Sequence, residues 1–229
     1  RQRHGAPLRR RPAPLTVHEL TRRLSLIVIT DPDCGEGRTI VDVVRAALRG
    51  GAPSIQLRAK DQPAREQAAL ARALLAETRA AGALLWVNDR LDVALAAGAD
   101  GVHLGQDDIP VDAARRIVPA GFLVGISAET PELALAAERD GADYVGTGPV
   151  HATGSKADAG EAIGCARIAE VARAVRIPVV GIGRISADNA DDVVRAGAAG
   201  VAVISAVMRA PDPEAATRAL MRAVETSRG

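Results

Sequence analysis

The chain has 229 residues, 48% of them hydrophobic and only 1% aromatic, which is enough for one large α/β domain with a core of Ala, Val, Leu and Ile. Lys and Arg number 29 against 28 Asp and Glu, a formal net charge of +1, and that balance makes no electrostatic case for nucleic acid or a membrane surface as partner. No apolar run approaches the roughly 18 residues of a membrane span, no signal-peptide pattern stands out, and Cys34 and Cys165 fall in neither a C-x-x-C nor a metal-ligand spacing, so a reducing, cytoplasmic setting is expected.

Residues 1–14 (RQRHGAPLRRRPAP) are basic and Pro-rich and read as a disordered tail; residues 15–229 read as a single domain. A short helix is expected over 16–23 and a first strand over 24–30, ending in Asp31-Pro32. A helix over 39–49 closes at Gly50-Gly51, the usual C-terminal chemistry. The second strand spans 54–58, followed by a long helix over 63–81 that Gly82 ends. The third strand spans 83–87 with a helix over 90–97 and Gly98 behind it. The fourth spans 101–104 with a helix over 109–118. The fifth spans 122–126 with a helix over 131–140, Pro131 in its first turn. The sixth spans 143–146 with a helix over 161–175, the seventh 178–182 with a helix over 187–196, and the eighth 200–204 with a last helix over 213–225. Three segments echo one another, Gly98-Ala99-Asp100-Gly101-Val102, Gly141-Ala142-Asp143-Tyr144-Val145 and Gly197-Ala198-Ala199-Gly200-Val201. Each is a helix end, a tight turn and a strand entry. Strands alternating with helices imply a parallel sheet. Eight such units in one chain predict a closed, eight-stranded (β/α)8 TIM barrel with a short N-terminal helix. The alternative, an open doubly wound sheet, lacks a G-x-G-x-x-G after the first strand.

Within Ser54-Ile55-Gln56-Leu57-Arg58-Ala59-Lys60, apolar Ile55, Leu57 and Ala59 alternate with Gln56, Arg58 and Lys60. Period two gathers the polar three on one side. An exposed edge strand would explain this, but strands in such a series are normally covered on both faces. In barrels of this kind the reacting groups sit at the C-terminal strand ends and in the loops after them. Those positions hold Asn88-Asp89, His103-Leu104-Gly105-Gln106-Asp107-Asp108, Ser127, Thr147 through Lys156, Gly181-Ile182-Gly183-Arg184 and Ile204-Ser205. Asp89 and one of Asp107 and Asp108 fit a Mg²⁺ site with few protein ligands and room for phosphate oxygens. Arg58, Lys60 and Lys156 supply charge suited to a pyrophosphate. The competing reading makes Asp89 and Asp108 caps of the helices that follow them. Gly181-x-Gly183 and Ile204-Ser205 precede helices and suit backbone cradling of a second, monophosphate group, with Thr153 and Ser155 as hydroxyl donors. His103 reads as hydrogen-bonded core, Trp86 as core, and Cys34 and Cys165 as structural; His151 has no paired acid. The residues thus describe two phosphorylated ligands facing each other without a nucleophile–base pair. That suits ionisation of a diphosphate leaving group and capture by a second substrate, with the protein contributing charge and position.

The pattern resembles the thiamine-phosphate synthase family. The matching stretches are Ile29-Thr30-Asp31, Gln56 to Lys60, Val87-Asn88-Asp89-Arg90, Gly98 to Asp108, Gly125-Ile126-Ser127, Tyr144 to Val150, Thr153-Gly154-Ser155-Lys156, Gly181-Ile182-Gly183 and Val203-Ile204-Ser205-Ala206. The resemblance implies a (β/α)8 barrel that joins 4-amino-2-methyl-5-pyrimidinylmethyl diphosphate to a thiazole ethyl phosphate and releases pyrophosphate. It assigns Gln56, Leu57, Arg58, Ala59, Lys60, Asn88, Ser127 and Lys156 to the pyrimidine diphosphate, with Arg58, Lys60, Ser127 and Lys156 as the catalytic group. Asp89 and Asp108 become Mg²⁺ ligands, and Thr153, Gly154, Ser155, Gly183, Arg184, Ile204 and Ser205 line the thiazole-phosphate side. The implied partners are small phosphorylated substrates, with no nucleic acid and no membrane; a homo-oligomer is left open. The chain departs from the family pattern at Arg184, where a second glycine is usual, and at Glu129, where histidine is frequent. The runner-up readings are a thiazole tautomerase of the same fold and a non-catalytic binding protein for phosphate ligands; retention of Asp89, Asp108, Arg58 and Lys156 favours the synthase.

Overall fold

The computed structural model describes residues 15–35, 37–152 and 161–227. The tail expected over 1–14 lies outside them, as do Thr153, Gly154, Ser155 and Lys156. After α1 (Val17–Arg23) the chain alternates strand and helix: β1 (Leu26–Ile29), α2 (Ile40–Arg49), β2 (Ser54–Leu57), α3 (Ala64–Ala81), β3 (Leu84–Asn88), α4 (Leu91–Ala97), β4 (Gly101–Leu104) and α5 (Val111–Ile117). It continues through β5 (Leu123–Ser127), α6 (Pro131–Arg139), β6 (Tyr144–Thr147), α7 (Gly164–Ala174), β7 (Val179–Ile182), α8 (Ala190–Arg195), β8 (Gly200–Val203), α9 (Ser205–Met208) and α10 (Pro213–Thr226). The strands are parallel and close in sequence order, β8 pairing back to β1 with Val28 opposite Val203. The expected (β/α)8 barrel is present. Among the described residues no helix is long and apolar enough to cross a membrane.

Local chemistry explains where elements start and stop. Thr16 and Thr39 each accept a bond from the third helical N–H while Glu19 and Asp42 reach back to the cap, which satisfies donors that an α-helix otherwise leaves orphaned. Gly82 and Gly98 end α3 and α4 in the left-handed region, φ 68° and 74°, where a side chain would be strained. β1, β2, β4 and β8 are buried at every position, because helices cover the outside while side chains fill the inside. Two of the three echoed segments are explained at the strand entries. Asp100 accepts the Leu85 N–H at 2.8 Å and Asp143 accepts the Val124 N–H at 2.7 Å, so each carboxylate ties a turn to the preceding strand. These aspartates hold the floor of the barrel, at the end opposite the candidate chemistry.

The interior mixes polar and apolar side chains. Ile27, Ile29, Gln56, His103, Tyr144 and Val180 face it. Trp86 is fully buried, donates from Nε1 to Ser54 Oγ at 3.2 Å, and packs edge-on against Tyr144 with ring centroids 5.0 Å apart. Small residues make the space: a Cβ on Gly101 would lie 2.6 Å from the Trp86 ring. His103 is hydrogen-bonded core as expected, 8% exposed.

Three expectations change. β2 stops at Leu57, so Arg58 and Lys60 lie beyond the strand rather than on its polar face. The reason is Thr30: its N–H donates to Gln56 O, and its hydroxyl donates to Arg58 O and accepts the Arg58 N–H at 3.0 Å. A side chain thus replaces the next strand partner and turns the chain outward. The Leu57 side chain is fully buried in the core and Ala59 packs partly buried against it, which leaves only their backbone for a ligand. Finally, a one-turn α9 follows β8 directly, where the sequence shows only a strand end.

Candidate active site

The C-terminal strand ends surround a cavity of about 360 Å³. Its walls come from the ends of seven different strands and the loops after them. After β2, Lys60 lines it; after β3, Asp89; after β4, Gly105 to Asp108; at the end of β5, Ser127 and beyond it Glu129. After β6 come Gly148 and Pro149, after β7 Gly183, Arg184 and Ile185, and at the end of β8 Ile204 and Ser205. Below it, Gln56, His103 and Tyr144 line the barrel interior, and Ser127, Gly146, Ile182 and Ala202 border both spaces.

Asp89 has φ 62°, the left-handed region, which aspartate visits more readily than most residues. Its N–H still donates to His103 O at 2.8 Å, so the strand pairing holds up to the turn. The carboxylate then lines the cavity, with Oδ2 3.8 Å from Lys60 Nζ. α4 takes Arg90 as its cap and has no side-chain cap bond. Asp108 does not cap a helix either: Oδ2 accepts the Gly105 N–H at 2.6 Å, while α5 begins after Pro110 without a side-chain cap. That bond folds the 105–108 loop on itself and leaves the second carboxylate oxygen for another partner. Both aspartates are therefore held in turns at the rim of one cavity rather than serving the helices after them.

The opposite wall is backbone-rich. Gly183 has φ 117°, and a Cβ there would sit 2.6 Å from Pro149 Cα, so a side chain is excluded by both conformation and space. Val150 N–H donates to Ile182 O and His151 N–H to Gly183 O, which stitches the start of the loop after β6 to the end of β7. Arg184 is exposed and has φ 49°, the left-handed conformation a second glycine would adopt without strain. Asn189 fixes it there, donating to Arg184 O at 3.2 Å while accepting the Ser186 N–H at 2.9 Å.

Of the residues singled out in the sequence, the fold brings Lys60, Asp89, Asp108, Ser127, Gly183, Arg184, Ile204 and Ser205 to one cavity. Gln56 lines the barrel interior beneath it, 2% exposed, and Asn88 is 8% exposed at the end of β3. Arg58 does not line the cavity; its Nε is buried without a hydrogen-bond partner among the described residues. Sequence reasoning gave no role to Thr30, which orients Arg58, or to Tyr144, which binds His103. The signal was there for Thr30, a hydroxyl closing an otherwise apolar strand.

The chain matches the thiamine monophosphate synthase family model over residues 26–207. It is 61% identical over 193 residues to a thiamine-phosphate synthase of Roseiflexus castenholzii, covering 84% of this chain and 85% of that one. The chain belongs to the thiamine monophosphate synthase family. The thiamine-phosphate synthase of Moorella thermoacetica is 51% identical over 204 residues, 89% of this chain and 97% of its own. The solved thiamine phosphate pyrophosphorylase of Pyrococcus furiosus superposes with a TM-score of 0.84 at 45% identity, covering 92% of this chain and all of that one. The matched region runs from the first residue of β1 into α9, so it contains every strand and the whole cavity wall. As a member of this family the chain is an enzyme, a transferase of thiamine biosynthesis.

Proposed function

We propose that the chain condenses 4-amino-2-methyl-5-pyrimidinylmethyl diphosphate with thiazole ethyl phosphate to give thiamine monophosphate and pyrophosphate. The observation that carries this is the meeting of Lys60, Asp89, Asp108 and Ser127 across one cavity from Gly183, Arg184 and Ser205, in a member of this family. Among the described residues one wall carries a lysine, carboxylates and a hydroxyl; the other offers backbone and one arginine.

Asp89 and Asp108 fit Mg²⁺. Among the described residues no group of three or more His, Cys, Asp or Glu could enclose a metal. Two hard carboxylates at an open rim instead leave positions for water and phosphate oxygens, the way this ion is usually held. Bound there, it would supply charge neutralisation for the leaving diphosphate. The protein's own groups do the rest. Lys60, with Lys156, balances the charge that collects on the diphosphate as its C–O bond breaks, Arg58 adds only longer-range charge from outside the cavity lining, and Ser127 donates a hydrogen bond to the diphosphate. The Gly183–Arg184 turn and the start of α9 receive the monophosphate of the thiazole, whose ring nitrogen forms the new C–N bond. A ring nitrogen attacking a cationic carbon has no proton to lose, so no general base is needed. A cytoplasmic location accompanies this reading, supported by the unpaired state of Cys34 and Cys165.

The decisive assay is pyrophosphate release with purified protein. Release that requires Mg²⁺ and both substrates together is expected. No turnover with fresh substrates and Mg²⁺ would sink the synthase reading, and thiazole isomerisation without pyrophosphate would put the tautomerase in its place.

Arg184 allows a sharper check. Arg184→Gly should raise the KM for thiazole ethyl phosphate about three- to tenfold, the worth of one exposed charge-assisted contact, and leave that for the diphosphate nearly unchanged. Equal effects on both would undo the assignment of this wall.

A further inference from the structure

His103, Tyr144 and Gln56 are 8%, 1% and 2% exposed, and they lie directly under the cavity. Tyr144 Oη is 2.7 Å from His103 Nδ1, and His103 Nε2 is 3.1 Å from Ser127 Oγ. Gln56 lines the same interior space as both rings. We propose that Tyr144 and His103 form a one-way hydrogen-bond relay that keeps the imidazole proton on Nε2 and so turns Ser127 into a donor toward the cavity.

The argument is an accounting of protons. A neutral imidazole has one donor nitrogen and one acceptor, and a phenol has one proton to give. Were His103 protonated at Nδ1, it would donate to the Tyr144 oxygen. The phenol proton would then lose His103 as its acceptor, at a cost of about 1–3 kcal/mol for a buried group left unsatisfied. With Nδ1 bare, the phenol donates to it, Nε2–H donates to Ser127 Oγ, and every group is satisfied. Burial pushes the Tyr144 phenol far above its ordinary range, so the relay keeps its first proton at any working pH. Ser127 already accepts from Nε2, which leaves its own proton for an acceptor in the cavity. A leaving diphosphate is such an acceptor. Tyr144 and His103 act through Ser127 and are positioning residues, not catalytic ones. Trp86, edge-on to the Tyr144 ring, and Gly125 and Gly101, which make room for the two rings, hold the relay in register.

This inference rests on the reading of Ser127 as a diphosphate contact, and the test keeps the two apart. Long-range ¹H–¹⁵N correlation on the histidine-labelled full chain, with His103→Asn to assign the signal, reports the tautomer without turnover. His103 protonated only at Nε2 is expected; an Nδ1–H tautomer overturns the relay. Tyr144→Phe should shift that signal toward Nδ1–H and lower kcat about tenfold or more, as loss of an outer-layer orienting bond does elsewhere, with KM for thiazole ethyl phosphate held. Tautomer and kcat both unmoved would overturn it. If Tyr144→Phe does not fold, the tautomer of the unaltered chain still decides. Unchanged kcat in Ser127→Ala overturns the contact reading and with it the catalytic consequence, whatever the tautomer.

Discussion

Asp89→Ala is expected to lose at least about 10²-fold in kcat, the scale of losing one electrostatic element of a reacting site. Asp89 sits in the left-handed region at φ 62°, lines the cavity and lies 3.8 Å from Lys60. It serves no helix, since α4 has no side-chain cap. A residue held in a sparsely populated conformation at the mouth of a cavity is a candidate for function rather than for stability. Its removal takes away one of two carboxylates assigned to Mg²⁺ and the anion beside Lys60 at once. The stability effect is smaller and can be separated. Alanine tolerates this φ less well than aspartate, by up to about 1 kcal/mol, so part of any loss could come from a shifted turn. Asp89→Asn is the control. Asparagine is at ease in this conformation and has the same shape without the charge. It should fall in kcat as far as the alanine variant while melting with the unaltered chain. If instead Asp89→Asn turns over at the unaltered rate, the charge is not needed and Asp89 is only a turn residue.

Much of this was readable from the residues, and the remainder was hidden for identifiable reasons. The barrel followed from strand and helix alternation, since parallel strands must be covered and glycines mark each return. The repeated Gly-Ala-Asp turns were visible as a pattern, but their work, Asp100 and Asp143 tying N–H groups of the previous strand, depends on which strands become neighbours. The polar trio Gln56, Arg58 and Lys60 was found by period two. Yet the period fails after Leu57, because Thr30 from the adjacent strand captures both polar groups of the Arg58 backbone. A cross-strand side-chain bond leaves no trace in the local sequence. For the same reason His103 could be recognised as core while its partners Tyr144 and Ser127, 41 and 24 residues away, could not. The one-turn α9 was missed because Ile204-Ser205-Ala206-Val207 reads as the continuation of an apolar strand. Capping, the bland account of Asp89 and Asp108, was plausible by spacing and fails on geometry.

The interior predicts the largest effect on stability. Gly125→Ala would put a Cβ 2.0 Å from Tyr144 Cε1 and 2.4 Å from Cζ. Real side chains do not approach so closely, so the ring must move. It has little freedom to do so: Tyr144 is 1% exposed, abuts Trp86 edge-on and bonds His103 at 2.7 Å. Overpacking of this kind costs about 3 kcal/mol, which in a chain of this size lowers Tm by about 10 °C. Thermal denaturation followed by circular dichroism measures it, and an unchanged Tm would mean that the aromatic packing is slack. Activity should fall further than stability accounts for at temperatures where the variant is still folded, because a displaced phenol no longer reaches His103. Adding Tyr144→Leu separates the two roles. A smaller, flexible side chain relieves the clash and should return part of the lost Tm. It carries no hydroxyl, so kcat should stay low. Recovery of both together would mean that Tyr144 matters to this barrel only as volume.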